Sequence, residues 1–438
     1  MDPLIQAPMT LALPAITELQ AARLKKLQRL GILCGFAAGA WLGAAEAPTK
    51  LVHSGISPVV ISLVMVIGVF LARWSVPALV RGTSQVYADA QQAPHLIVWA
   101  ILAGCLWAVA NTLTIFAIRD IGLSIAFPLW NMNSLLGIFW GFVFFHELRN
   151  AGARRWFGVL GGALLMFAGA VLLALASSNQ ASPGRALHGV IAALGAGVLW
   201  GTMYIPYRKA YLTGMNPLSF VAFFTIGELG MMLALALRSA GGILPLWQEL
   251  AGARAALFWL AAGGFFWVIG DLFQQYAAKY VGISRGIPLS NTNQLWGLLW
   301  GVLVFGELQG RSTMLYAQVI GGSLIMAAGA AAIAFSSAPP EEHQRWQNAA
   351  LRESERYGTD PDYVRAGLEG RATRQNSPRT ALDWAMLLIT TLTFLALAAI
   401  AAPPLVTFNL RAAVILLTVI VGILVISALS LWRTTKFN

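Results

Sequence analysis

Twelve apolar blocks, most of them about twenty residues long, run through this 438-residue chain. A helix of that length just crosses the hydrocarbon core of a bilayer at ~1.5 Å per residue. The blocks fall near 30–48, 56–74, 96–117, 122–146, 156–177, 187–207, 217–238, 256–278, 283–306, 314–336, 382–402 and 412–432. Only 11% of residues are charged against 58% apolar, whereas a soluble domain carries roughly a quarter charged residues. The pattern predicts an all-α integral membrane protein, multi-pass in a plasma membrane, with the lipid bilayer as its main partner. The 16 Trp and 43 Gly agree, since Trp favours the membrane interface and Gly lets helices approach closely.

The remaining composition excludes several functions. The net charge of +11 is scattered over short loops rather than gathered on one face, so no nucleic-acid partner is expected. Cys34 and Cys105 lie inside apolar runs and read as small packing residues. The five histidines, His53, His95, His146, His188 and His343, show no ligand spacing. No metal, cofactor or catalytic set of nucleophile and base is expected, so the chain does not read as an enzyme.

Of the 29 Lys and Arg, 22 fall on one side of this topology and seven on the other. Positive charge marks the cytoplasmic side, which places both termini in the cytoplasm. Residues 1–29 hold a short apolar stretch and then a basic run, Arg23–Arg29, which reads as a cytoplasmic lead-in rather than a cleavable signal. The polar stretch 337–381 opens Pro339-Pro340-Glu341-Glu342, a helix-start signature, and reads as a cytoplasmic amphipathic linker. Residues 382–438 form a two-helix hairpin and tail.

The chain carries an internal repeat. Residues 104–148 shifted by 160 align with 264–308 without a gap, and 16 of the 45 positions are identical. The matches include Trp107 with Trp267, Gly122 with Gly282, Ser124 with Ser284, and Glu147 with Glu307. Earlier helices continue the pattern, Gly68 answering Gly227 and Pro58 answering Pro217. The repeat is therefore five helices long, 30–177 and 187–336. Five is odd, so the second copy enters the membrane from the opposite side. Inverted repeats place a solute site near the midplane, and rocking about it gives alternating access.

Polar groups inside hydrocarbon are costly when unpaired, so their positions are informative. Pro128 is followed by Asn131 and Asn133, and Pro288 by Asn291 and Asn293. Proline opens a helix locally, and Asn offers donors and an acceptor suited to a hydroxylated or amide-bearing solute. Bonding between helices is the competing reading. Trp107 and Trp267 sit at equivalent central positions, where an indole face can stack on a sugar or a heteroaromatic ring. Trp200, Tyr204 and Gln274 extend this candidate set. Two acids lie deep, Asp271 and Glu228, where the first half has Asn111 and Val69. Burial disfavours the charged form of a carboxyl, so either can load and release a proton; a structural role is the alternative. Glu46, Glu147 and Glu307 read as helix-end or gate contacts, and Lys50, Arg208 and Lys209 as boundary residues reaching for water.

The run Gly197-Val198-Leu199-Trp200-Gly201 to Pro206-Tyr207-Arg208-Lys209, with Trp140-Gly141…Glu147-Leu148 and Trp300-Gly301…Glu307-Leu308, resembles the drug/metabolite transporter superfamily. Within it the residues are most similar to the glucose/ribose porter and rhamnose transporter group. The resemblance covers about 30–336 and implies a ten-helix core that takes up a small polar solute, a monosaccharide first, by proton-coupled or facilitated transport. Plant ureide permeases share the superfamily fold, so a nucleobase or ureide stays open, as does export. A sensor or scaffold is the reading outside transport, and it would call for a folded soluble domain. The linker and the last two helices have no counterpart in the family. No oligomeric state is implied.

Overall fold

The computed structural model describes residues 18–45, 56–121, 126, 129–149, 151–176, 183–306, 310, 312–336, 340–371, 378–402 and 408–437. Two short polar sequences set the helix starts. Ser57 accepts a hydrogen bond from the Val60 amide ahead of Pro58, and Asn216 accepts one from the Leu218 amide ahead of Pro217. A side-chain oxygen caps the free amides of the first turn, and proline there has no amide to waste.

The first repeat comprises α1 (Glu18–Ala45), α2 (Pro58–Val80), α3 (Thr83–Gln92), α4 (His95–Ile121), α5 (Asn133–Phe145) and α6 (Gly162–Ala176). A short helix, Ala153–Trp156, and a π-helical turn, Phe157–Gly161, lead into α6. The second comprises α7 (Pro183–Leu212), α8 (Pro217–Ala240), α9 (Ile243–Gly252), α10 (Leu257–Val281), α11 (Ile283–Ser290), α12 (Asn293–Leu299), continued by a π-helical turn Trp300–Val304, and α13 (Thr313–Phe335). Then come α14 (Pro340–Tyr357), α15 (Pro361–Leu368), α16 (Ala381–Ala399) and α17 (Leu410–Thr435). The short helices α3 and α9 occupy matching places in the two repeats and were not expected from hydropathy.

Ten of the described helices are long and apolar enough to cross a membrane. The surface confirms their solvent: Phe157, Val98 and Leu187 are exposed, while Arg73, Arg208 and Arg285 are among the largest fully buried side chains. A soluble protein distributes these residues the other way round. The chain is a multi-pass membrane protein.

Exchanging the two repeats leaves the packing scheme unchanged. Helix α4 lies on α7 and α8, as α10 lies on α1 and α2; α5 meets α7 as α12 meets α1; α6 pairs with α13. The closest approaches are exchanged as well. A Cβ on Gly68 would strike the Ala261 carbonyl and one on Gly227 the equivalent Ile101 carbonyl. Gly104 against Phe224 and Gly264 against Met65 form the second such set. Small residues at these crossings let the backbones touch, the main source of helix association in lipid. The hairpin breaks the pattern: α16 packs on α2 and α10, and α17 on α1.

The fourth and ninth blocks are not continuous helices. Residues 122–125 and 127–128 lie outside the described residues, and α5 begins only at Asn133. In the ninth, α11 stops at Ser290 and α12 starts at Asn293. Both breaks use the same tight turn. Met132 N donates to Leu129 O at 3.3 Å and Thr292 N to Leu289 O at 3.3 Å. The expected local opening after each proline is thus a full interruption at the Asn pairs.

Candidate functional site

Interrupted helices leave backbone groups unpaired inside the bundle, where polar side chains and solutes can reach them. At the crossing of the two breaks the side chains of both repeats meet. Asn291 Nδ2 donates to Asn133 Oδ1 at 3.0 Å and to Ser134 Oγ at 2.5 Å. Asn131, Ser134, Pro288, Asn291 and Gln294 line a small cavity whose far wall is Ala163, Met166 and Phe167. Asn131 Nδ2 and Asn293 Oδ1 are buried without a hydrogen-bond partner among the described residues. Such orphan groups ask for a ligand or water.

From this crossing a polar stripe runs along α10. Gln274 Nε2 donates to Ser290 Oγ at 2.7 Å, and Tyr204 lies against Gln274. Gln275 Nε2 donates to Asp271 Oδ1 at 2.7 Å and in turn accepts from Tyr211 at 2.7 Å. One turn before Asp271, Trp267 meets Trp107 edge to face, ring centres 5.5 Å apart. That separation leaves no room for a sugar ring between the indoles in this conformation. Trp200 packs against Trp130 at 6.0 Å, and Tyr204 against Tyr207 at 5.9 Å. The candidate residues thus form one connected region. Trp200 sits at its edge, in an aromatic pair rather than against the polar stripe.

The two deep acids share a partner that the sequence reading missed. Arg73 Nη1 lies 2.5 Å from Glu228 Oε2, and its Nη2 lies 2.7 Å from Asp271 Oδ2. All three are buried, and the guanidinium sits 4.5 Å over the Phe224 ring. The second apolar block ends near residue 74, which puts Arg73 at the very end of its predicted span. The helix instead runs on to Val80 through Pro77, which places Arg73 two turns inside. The missed signal was chemical. Two acids deep in hydrocarbon require a cation, and Arg73 was the only basic residue within the predicted span of the second helix.

A second charged cluster stands at the bundle end that also carries α14. Glu147 is fully buried and accepts from the Ser284 amide at 3.0 Å and the Ser284 hydroxyl at 2.6 Å. A carboxylate at a helix start meets the free amides and the positive end of the helix dipole. Arg208 Nε pairs with Glu147 Oε1 at 2.8 Å, and its Nη1 donates to the Ala278 and Lys279 carbonyls. Glu147, in the first repeat, thus takes its side-chain partners from the second. The reading of Arg208 as a boundary residue reaching for water is corrected: it is 1% exposed because a buried carboxylate and two carbonyls hold it. Lys50, Glu46 and Glu307 lie outside the described residues. Cys34 is buried, Cys105 is partly buried, and no cluster suited to a metal exists among the described residues.

Comparison with known proteins reaches the two repeats separately. Residues 187–329 match the EamA-like transporter family, and residues 52–176 match the family described as sugar transport protein. Each repeat is thus similar to a transporter family over most of its length. The transporter core is also similar to curated proteins. A candidate sugar uptake protein of Listeria innocua is 24% identical over 232 residues, 52% of this chain and 76% of that one. A candidate sugar uptake protein of Listeria monocytogenes is 23% identical over the same shares. The glucose uptake protein GlcU of Staphylococcus xylosus is 22% identical over 222 residues, 50% of this chain and 72% of that one.

Proposed function

We propose that this membrane transporter carries a monosaccharide or a close polar relative, bound where the two interrupted helices cross. The observation that carries this is the meeting of Asn133 and Ser134 with Asn291 beside the Asn131 amide, which has no partner among the described residues. Amide donors and acceptors at a helix break match the hydroxyls of a sugar. The sugar uptake proteins among the relatives support that class. The same amides would pair with a nucleobase or ureide, which is the second reading.

In this reading the two repeats enter the bilayer from opposite sides and both termini are cytoplasmic. The halves rock about the crossing, so that the site opens to one face at a time. Arg73, Glu228 and Asp271 are the coupling group. One guanidinium facing two carboxylates leaves one negative charge in excess, and a bound proton neutralises it. At ~4 Å such charges interact by about 4 kcal/mol near an effective dielectric of 20, so loading the proton shifts how firmly α2 is tied to α8 and α10.

Thermal unfolding of the purified protein with a panel of monosaccharides, nucleobases and small amides tests the class. A ligand at ~100 times its Kd adds about 2.7 kcal/mol. Stabilisation by a monosaccharide is the expected result. Stabilisation only by a nucleobase moves the assignment to the second reading, and none across the panel defeats both.

A further inference from the structure

The linker has no counterpart in either repeat, yet its contacts are not those of a loose tether. Arg285, at the start of α11, is 2% exposed and holds Glu342 of α14 in a two-pronged ion pair at 3.0 and 3.2 Å. One turn on, the buried Trp346 covers the guanidinium of Arg208, 4.0 Å from ring centre to carbon. Arg208 is the residue that pairs with Glu147 at the junction of the repeats. The linker therefore touches that junction directly.

It also ties the repeats to one another at this face. Besides its hold on α7 and α11, α14 reaches the first repeat through Arg345, which donates to the Arg149 carbonyl, and through Tyr357, stacked 3.8 Å from His95. In α15, Tyr363 donates to Asp89 of α3 at 3.1 Å, while Gly367 packs on the backbone of Gly214 between α7 and α8. Arg23 of α1 then donates to the Glu369 carbonyl at 3.0 Å. Opening a path to this face means parting the end of α5 from the starts of α11 and α14 and from the end of α7. The linker spans that seam.

We propose that α14 and α15 form a latch over the junction of Glu147, Arg208 and Ser284. Docked, the latch keeps the carrier closed on the linker face. The solute site opens to that face only when the latch lifts. Trp346 excludes water from the Arg208–Glu147 pair, and a buried pair without competing water is held firmly. Glu342 gives Arg285 a buried partner, so withdrawing α14 exposes or orphans a charge. This inference rests on the alternating-access reading above and adds to it what controls one of the two openings.

The test places one cysteine at Ser290 in a chain carrying Cys34→Ala and Cys105→Ala, with Thr292→Cys as a second reporter. Ser290 is 1% exposed and lies between the α11 break and Gln274. Labelling by a membrane-impermeant maleimide is timed in inside-out and right-side-out vesicles. Trp346→Ala and Glu342→Gln are expected to speed labelling from the linker face about tenfold, a shift of ~1.4 kcal/mol in the closed-to-open equilibrium. Trp346→Phe, which keeps a ring over Arg208, is expected to label at the parent rate. Equal rates in all variants overturn the latch, as does acceleration by Trp346→Phe equal to that by Trp346→Ala. A reporter reactive from the opposite face but never faster from the linker face sinks the latch alone. One reactive from neither face sinks the carrier reading with it.

Discussion

The buried charged triad and its counterpart in the exchanged repeat occupy the same scaffold with opposite chemistry. Where one interface has Arg73, Glu228 and Asp271, the other has Met232, Val69 and Asn111. Both sets are held by the same glycine crossings, Gly68 on one side and Gly227 on the other. On the neutral side Met232 is fully buried beside the Thr112 hydroxyl, and Asn111 Nδ2 donates to Ser62 Oγ at 2.9 Å. The scaffold therefore packs without charge. Replacing a buried ion pair by well-packed apolar groups is commonly neutral or stabilising by about 1–4 kcal/mol, so the triad is not explained by stability.

Removing the shared cation alone unbalances the charged side most severely. Arg73→Met leaves two carboxylates facing each other in hydrocarbon and should lower stability by about 3–5 kcal/mol. Chemical unfolding of the purified variant reads this directly. A loss near zero would mean that the acids have another partner.

Making the charged side a copy of the neutral side removes the charge without orphaning any of it. The triple variant R73M/E228V/D271N should recover most of the stability lost by Arg73→Met, because each new residue already packs at the equivalent place. In proteoliposomes it should equilibrate solute but not concentrate it under an imposed pH gradient. Asp271→Asn alone is expected to uncouple in the same way, and Glu228→Gln if the proton resides there instead. If the parent protein itself never concentrates solute under the gradient, the triad is a fastening and the carrier a facilitator.

The smallest effect concerns a region where the repeats agree rather than differ. Asn291→Ala removes the donor to Asn133 and Ser134, and should weaken solute binding by about 1–3 kcal/mol, roughly five- to 150-fold. Calorimetric titration with the sugar that stabilises the parent protein gives the number. Unchanged affinity in both Asn291→Ala and Asn131→Ala would return these residues to bonding between helices.

Much of the architecture is legible in the sequence, because a bilayer forces long apolar helices and the repeat survives in Gly, Pro, Asn and Trp positions. The interruptions at Asn131 and Asn291 were foreshadowed by Pro128 and Pro288. Helices α3 and α9 were not legible, being ten residues each; hydropathy averaged over a membrane-length window misses such pieces. Arg73 gives no local signal, because a charge near the end of an apolar block looks the same from sequence whether the helix stops or, as here, runs on to Val80. The partners of Arg208, Arg285 and Asp89 lie far along the chain, and no local pattern announces a pairing across that distance.

The bond from Arg23 to Glu369 joins residues 346 positions apart. A ribosome adding about 5–20 residues per second makes the later one roughly 17 to 70 s after the earlier. The two repeats are complete by residue 336, so the whole transporter core exists before the first residue of α14 leaves the ribosome. Every newborn molecule therefore passes through an interval in which Arg208 and Glu147 lie uncovered. The clasp over them is a late act of synthesis.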